Sequence, residues 1–119
     1  ARALQEDIDS AQTYTTVGPI RWMALESLTS RTYSEKSDVW SWAVTVWECL
    51  TRDVPFGSLD NVNVIVSVTA GQRLSIPTRC SPSLASLMAS CWDADPNNRP
   101  TFENILQVVQ TEGENILSE

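Results

Sequence analysis

The stretch "VWSWAVTVWECLT", residues 39–51, constrains the fold more than any other part of this chain. Val39, Trp40, Ala43, Val46, Trp47 and Leu50 recur three or four residues apart, the spacing of one helical face. Trp42 and Val44 fall off that face, so the helix is apolar nearly all round. Such a helix is a buried one, enclosed by other elements. Ser37 and Asp38 offer an N-cap pair, which sets the helix at about 38–51. The chain has the means to enclose it, since 42% of its 119 residues are hydrophobic and five are Trp. Gly and Pro are too few for a collagen-like or low-complexity chain.

The flanking segments supply helices. Residues 1–23 are polar and show no helical period, and "EDIDSAQTYTT" reads as an extended surface loop. Residues 24–29 suffice for one short helical turn. "RDVPFGSLD" ends the central helix with Pro55 and Gly57. Asp60 or Asn61 then caps a second helix in "NVNVIVSVTAG", with Gly71 at its C-terminal end. The Val-x-Val alternation there also fits a strand, but the cap, the length and the closing Gly favour helix. "QRLSIPTRC" is a linker. Ser81 followed by Pro82 is an N-cap with Pro at the first helical position. Leu84, Leu87, Met88 and Cys91 follow at helical spacing. "DADPNNRP" is a polar turn. Thr101 opens a last helix with Phe102, Ile105, Leu106 and Val109 on its apolar face. "TEGENILSE", residues 111–119, reads as an exposed tail. The expected fold class is all-α, preceded by one long irregular loop.

Charge and cysteine usage narrow the function classes. Eight basic residues against fifteen acidic ones leave a net charge of −7. That argues against a nucleic-acid partner, which needs a basic face. It argues equally against anionic membrane surfaces. Cys49, Cys80 and Cys91 are odd in number and lack metal-ligand spacing, so free thiols in a reducing, cytoplasmic setting are the plain reading and no metal site is expected. No apolar run approaches ~18 residues, so no membrane-spanning segment is expected in this chain, while a membrane anchor elsewhere in the parent protein stays open. The chain opens in mid-segment with "ARALQ", which reads as a fragment.

Three segments then matter through their order: "GPIRWMALES", "SDVWSW" and "CWDADPNNRPTF". Together they resemble the C-terminal lobe of a eukaryotic protein kinase, in the tyrosine-kinase and tyrosine-kinase-like groups. The resemblance runs from Ala1 to about Gln110. It implies an activation segment over 1–26 and a helical C-lobe over 27–110, with 111–119 beyond. It places Met23-Ala24-Leu25-Glu26 at the end of the activation segment, with Leu25 where the family usually has Pro. It implies that Glu26 pairs with Arg99, tying the segment to the helices below. It implies that Asp38 is a scaffold acid whose carboxylate receives backbone hydrogen bonds from the catalytic loop. Ala43 sits where the family usually has Gly.

The resemblance also assigns a substrate platform. Pro19, Ile20, Arg21 and Trp22 look like the loop that receives the residue after the acceptor hydroxyl. Pro19 would fix the backbone near φ −65°, with Trp22 as a wall and Ile20 as a shelf. Trp22 reads equally well as packing. Pro at position 19 is the tyrosine-kinase choice, whereas "LTRDVPFGSL" and the segment after Ile76 look like the tyrosine-kinase-like group, many of whose members act on Ser and Thr. The acceptor hydroxyl therefore stays open between Tyr and Ser/Thr. Thr13, Tyr14, Thr15 and Thr16 are candidate regulatory phosphorylation sites, or simply a solvated loop.

The chain carries no catalytic residue of the family. Phosphoryl transfer needs a glycine-rich loop, a strand Lys, a catalytic-loop Asp and Asn, and a metal-binding Asp before Phe-Gly. None is in this sequence. ATP and Mg²⁺, with a protein or peptide substrate, are therefore expectations for the parent domain, and the fragment alone is expected to be inactive. The other reading is a pseudokinase or interaction module that uses the helical lobe as a scaffold.

Overall fold

A computed structural model describes residues 19–118 of the chain. Among the described residues the regular structure is helical throughout: five α-helices and two 3₁₀ turns. A 3₁₀ turn at Ile20–Trp22 leads into α1, Leu25–Ser30, through Ala24, which makes no side-chain cap. The long central helix α2 spans Glu35–Thr51. It begins earlier than the sequence pattern indicates, because Ser34 and not Ser37–Asp38 is its cap. The Ser34 hydroxyl accepts from the Lys36 amide at 3.1 Å, while the Ser37 hydroxyl accepts from the Ser34 amide at 2.8 Å. That reciprocal capping box satisfies two of the amides a helix start leaves unpaired.

The helices α3, Asn61–Thr69, and α4, Pro82–Cys91, start where their caps place them. Asp60 accepts from the Asn63 amide at 2.9 Å, and Ser81 accepts from the Leu84 amide at 3.3 Å ahead of Pro82. Val64 and Val68 are buried while Val62 and Val66 are exposed, so the valines of α3 sort by helical and not by strand period. Gly71 follows at φ 102°, a backbone that glycine alone adopts without strain. A second 3₁₀ turn, Pro96–Asn98, is capped by Asp95. The last helix, α5, runs over Phe102–Ser118, so the backbone at 111–118 is helical where a tail was expected.

α2 is the hub. It packs against α4, against both 3₁₀ turns, and α4 in turn carries α5. Val39, Trp40, Ala43, Val44 and Trp47 meet Met88, Cys91 and Trp92, Val64 and Val68, and Ile105 in one core. The burial is one broad face and not the full circumference that the sequence suggests. Asp38, Thr45 and Cys49 are exposed with Trp42 half-buried between them, one stripe at helical spacing. None of the described elements lies over that stripe. A second departure concerns α5. Ile105 faces the core and Val108 lies against it, whereas Phe102, Leu106 and Val109 are exposed.

Candidate functional site

Two linked clusters hold the residues singled out from the sequence. In the first, Arg99 is buried to 2% exposure and forms a bidentate ion pair with Glu26, at 2.7 Å and 2.8 Å. Its remaining donors reach the carbonyls of Asp93 at 2.9 Å and Lys36 at 3.0 Å. The Lys36 ammonium donates to the carbonyls of Pro96 and Arg99, closing the circuit between α2 and the second 3₁₀ turn. Burial pushes the Glu26 carboxyl up. The hydrogen bonds from Arg99 and from its own amide, with the Arg99 charge, outweigh that and hold it below the ordinary value.

The Arg99 guanidinium also lies 4.9 Å from the Trp40 ring centroid, and that of Arg73 lies 4.8 Å from the same ring. Arg73 donates to the carbonyls of Trp92, Val68 and Gln72. Burial, then the neighbouring Arg99 charge, lower the Arg73 pKa, and Asp93 acts the other way. Sequence reading overlooks Arg73, because one Arg in a linker carries no spacing signal. Its place over Trp40 is fixed by the tertiary fold alone. Asp38 stands in the first turn of α2, exposed, on the open stripe.

The second cluster is the 3₁₀ turn. Pro19 is exposed at its head, at φ −96° and not at the ring's usual value near −65°. Ile20 is buried, so its side chain packs inward against the core. Trp22 is half-buried; its indole donates to Glu48 at 3.1 Å and its carbonyl accepts from the Ser41 hydroxyl at 2.7 Å. Arg21 donates to the carbonyls of Pro55, Phe56 and Leu59. The segment 19–22 is thus tied from below to α2 and to the loop before α3, and presents Pro19 and part of Trp22 outward. Thr13, Tyr14, Thr15 and Thr16, with the rest of the expected activation loop through residue 18, lie outside the described residues.

A family model described as protein tyrosine and serine/threonine kinase matches residues 1–109. The chain belongs to the protein kinase family. Its helical fold is that of the family's C-terminal lobe. Ephrin type-A receptor 8 of Rattus norvegicus is 42% identical over 114 residues, covering 92% of this chain and 30% of the receptor. The probable serine/threonine-protein kinase drkD of Dictyostelium discoideum is 41% identical over 96 residues, 81% of this chain and 8% of that kinase. The tyrosine-protein kinase transforming protein RYK of Avian retrovirus RPL30 is 43% identical over 88 residues, 73% of this chain and 20% of that protein. The chain spans less than a third of the length of each of these kinases.

Proposed function

We propose that this chain is the activation segment and substrate platform of an ATP-dependent protein kinase that phosphorylates a protein hydroxyl, Tyr or Ser/Thr. The observation that carries the reading is the double tie of residues 19–26. Arg99 clamps Glu26 at one end, and α2 holds Trp22 at the other. A substrate platform needs that rigidity, because a misplaced acceptor hydroxyl loses rate steeply. Pro19 and the exposed part of Trp22 receive the acceptor peptide, Ile20 supports them from the core, and Arg21 positions them. Glu26, Arg99 and Asp38 are scaffold residues. Thr13, Tyr14, Thr15 and Thr16 are its regulatory phosphorylation sites.

The nucleotide belongs to other residues of the parent domain. Among the described residues no group of three or more Asp, Glu, Cys or His stands together to hold a metal ion. The sequence has neither a glycine-rich phosphate loop nor an Asp-Phe-Gly. The family's ATP and Mg²⁺ motifs are thus assigned to other parts of the parent domain, and no step of the transfer is assigned to these residues. No described helix is long and apolar enough to cross a membrane. Three free thiols suit a cytoplasmic setting for this lobe.

Photocrosslinking tests the platform directly. In the full-length protein, an acceptor peptide carrying a photoreactive side chain just after its hydroxyl residue should label residues 19–22. Labelling confined to α5 or α3 would place the peptide elsewhere and favour a scaffold that binds partners through its exposed apolar helix faces.

A further inference from the structure

Three backbone carbonyls converge on one side chain. Arg21 Nη1 donates to Pro55 O at 3.0 Å and to Phe56 O at 2.7 Å, and Nη2 donates to Leu59 O at 2.6 Å. A set of inward carbonyls is a cation site, and here a guanidinium with its fork of donors fills it. The loop that supplies them is under strain. Phe56 sits at φ 54°, a region that a bulky L side chain rarely adopts and holds only when its surroundings require it. Pro55 beside it is fully buried. Leu59 O lies one residue before Asp60, the cap of α3. One guanidinium therefore joins the middle of the turn Ile20–Trp22 to a strained loop and to the start of α3.

The opposite side of the turn has its own anchor. Ser41 and Glu48, both on α2, hold the carbonyl and the indole of Trp22. The turn is fixed at two points on two different elements. Ile20 packs into the core between these anchors, and the Arg21 bonds hold the side of the turn that faces the loop and α3. Arg21 commits three hydrogen bonds to carbonyls of its own chain, so its guanidinium is directed to the loop.

We propose that Arg21 is a positioning residue for the substrate and not a substrate contact. It locks the segment Pro19–Trp22 against the loop at 52–60 and α3, so that the turn and α3 form one rigid unit. The proposal rests on the substrate-platform reading above. Losing Arg21 misplaces the acceptor peptide and leaves nucleotide handling, which uses none of these residues, intact.

The test is steady-state kinetics on the full-length protein with Arg21→Met and Arg21→Lys. Two acceptor peptides are used, one with and one without an acidic residue beside the hydroxyl. Arg21→Met should raise the KM for both peptides about tenfold, with the KM for ATP and the peptide-independent hydrolysis of ATP unchanged. Arg21→Lys keeps the charge and three donors but loses the fork, and should raise the peptide KM only about threefold. A rise confined to the acidic peptide would make Arg21 a contact residue and overturn the proposal. So would an unchanged peptide KM, or equal losses with and without peptide. If Arg21→Met fails to fold, Arg21→Lys carries the test alone, and an unchanged peptide KM overturns the proposal. A wild-type protein that transfers phosphate to neither peptide overturns the platform reading itself, an outcome distinct from any difference between variants.

Discussion

At the scale of single residues, Arg99 is the most heavily committed side chain. Its charge is buried, and Glu26, two carbonyls and the Trp40 ring all depend on it. Removing it strands a half-buried carboxylate. Arg99→Ala should cost about 3–5 kcal/mol in urea unfolding, and Arg99→Lys should recover only part, because an ammonium cannot bind the carboxylate with two parallel bonds. The same pair sets a pH dependence. The Glu26 carboxyl is held below its ordinary value in the fold. Its contribution is therefore complete above the unfolded glutamate pKa of about 4.3 and is lost as pH falls through the folded value. Glu26→Gln should flatten this acid-side loss of stability in urea titrations below about pH 5. Cys91 shows the opposite sign. Burial pushes its thiol up to about 12, so it stays neutral and unreactive in the fold, with the attraction of Arg99 acting against the shift. At neutral to mildly alkaline pH, alkylation should modify exposed Cys49 quickly and Cys91 only at the rate of unfolding. Rapid labelling of Cys91 in the native state would contradict its place in the core.

At the scale of elements, caps and strain decide the boundaries. Both α1 and α2 end on an arginine in the left-handed region, Arg31 at φ 54° and Arg52 at φ 59°. A side chain there costs about 1–2 kcal/mol relative to glycine, less the entropy that glycine loses on folding. Arg52 is exposed, so Arg52→Gly should stabilise the chain by roughly 1 kcal/mol in thermal unfolding. No change or a loss would mean that the arginine makes a compensating contact. Much of this level was legible in the sequence. Asp60, Ser81-Pro82 and Gly71 mark helix ends because their chemistry is local. The start of α2 is ambiguous in the sequence because "SEKSD" offers several caps, and only the reciprocal bonds of Ser34 and Ser37 choose between them. The apolar faces of α2 and α5 are broader in the sequence than in the fold. Periodicity tells which residues share a face, but not whether a neighbouring element covers it.

At the scale of the whole molecule, the candidate site was legible as a set of motifs but not as a mechanism of support. The motif order assigned a platform at 19–22 and paired Glu26 with Arg99. It gave no hint that Arg21 turns away to bind carbonyls 34 to 38 residues distant, nor that Arg73 joins Arg99 over Trp40. Those contacts depend on chain path, which no local pattern encodes. The molecule has a close-packed hub and open apolar positions on α3 and α5, with Val62, Val66, Leu106 and Val109 each more than 40% exposed. Apolar surface of that kind is covered by other protein in a working assembly or becomes an aggregation liability. The central claim is that this lobe supplies the platform and none of the phosphoryl-transfer chemistry. The most direct measurement is phosphate incorporation from labelled ATP into an acceptor peptide, run in parallel with this chain alone and with the full-length protein that contains it. The account predicts incorporation by the full-length protein and none by the chain above a no-protein control. Turnover by the chain alone, or none by the full-length protein, would contradict it.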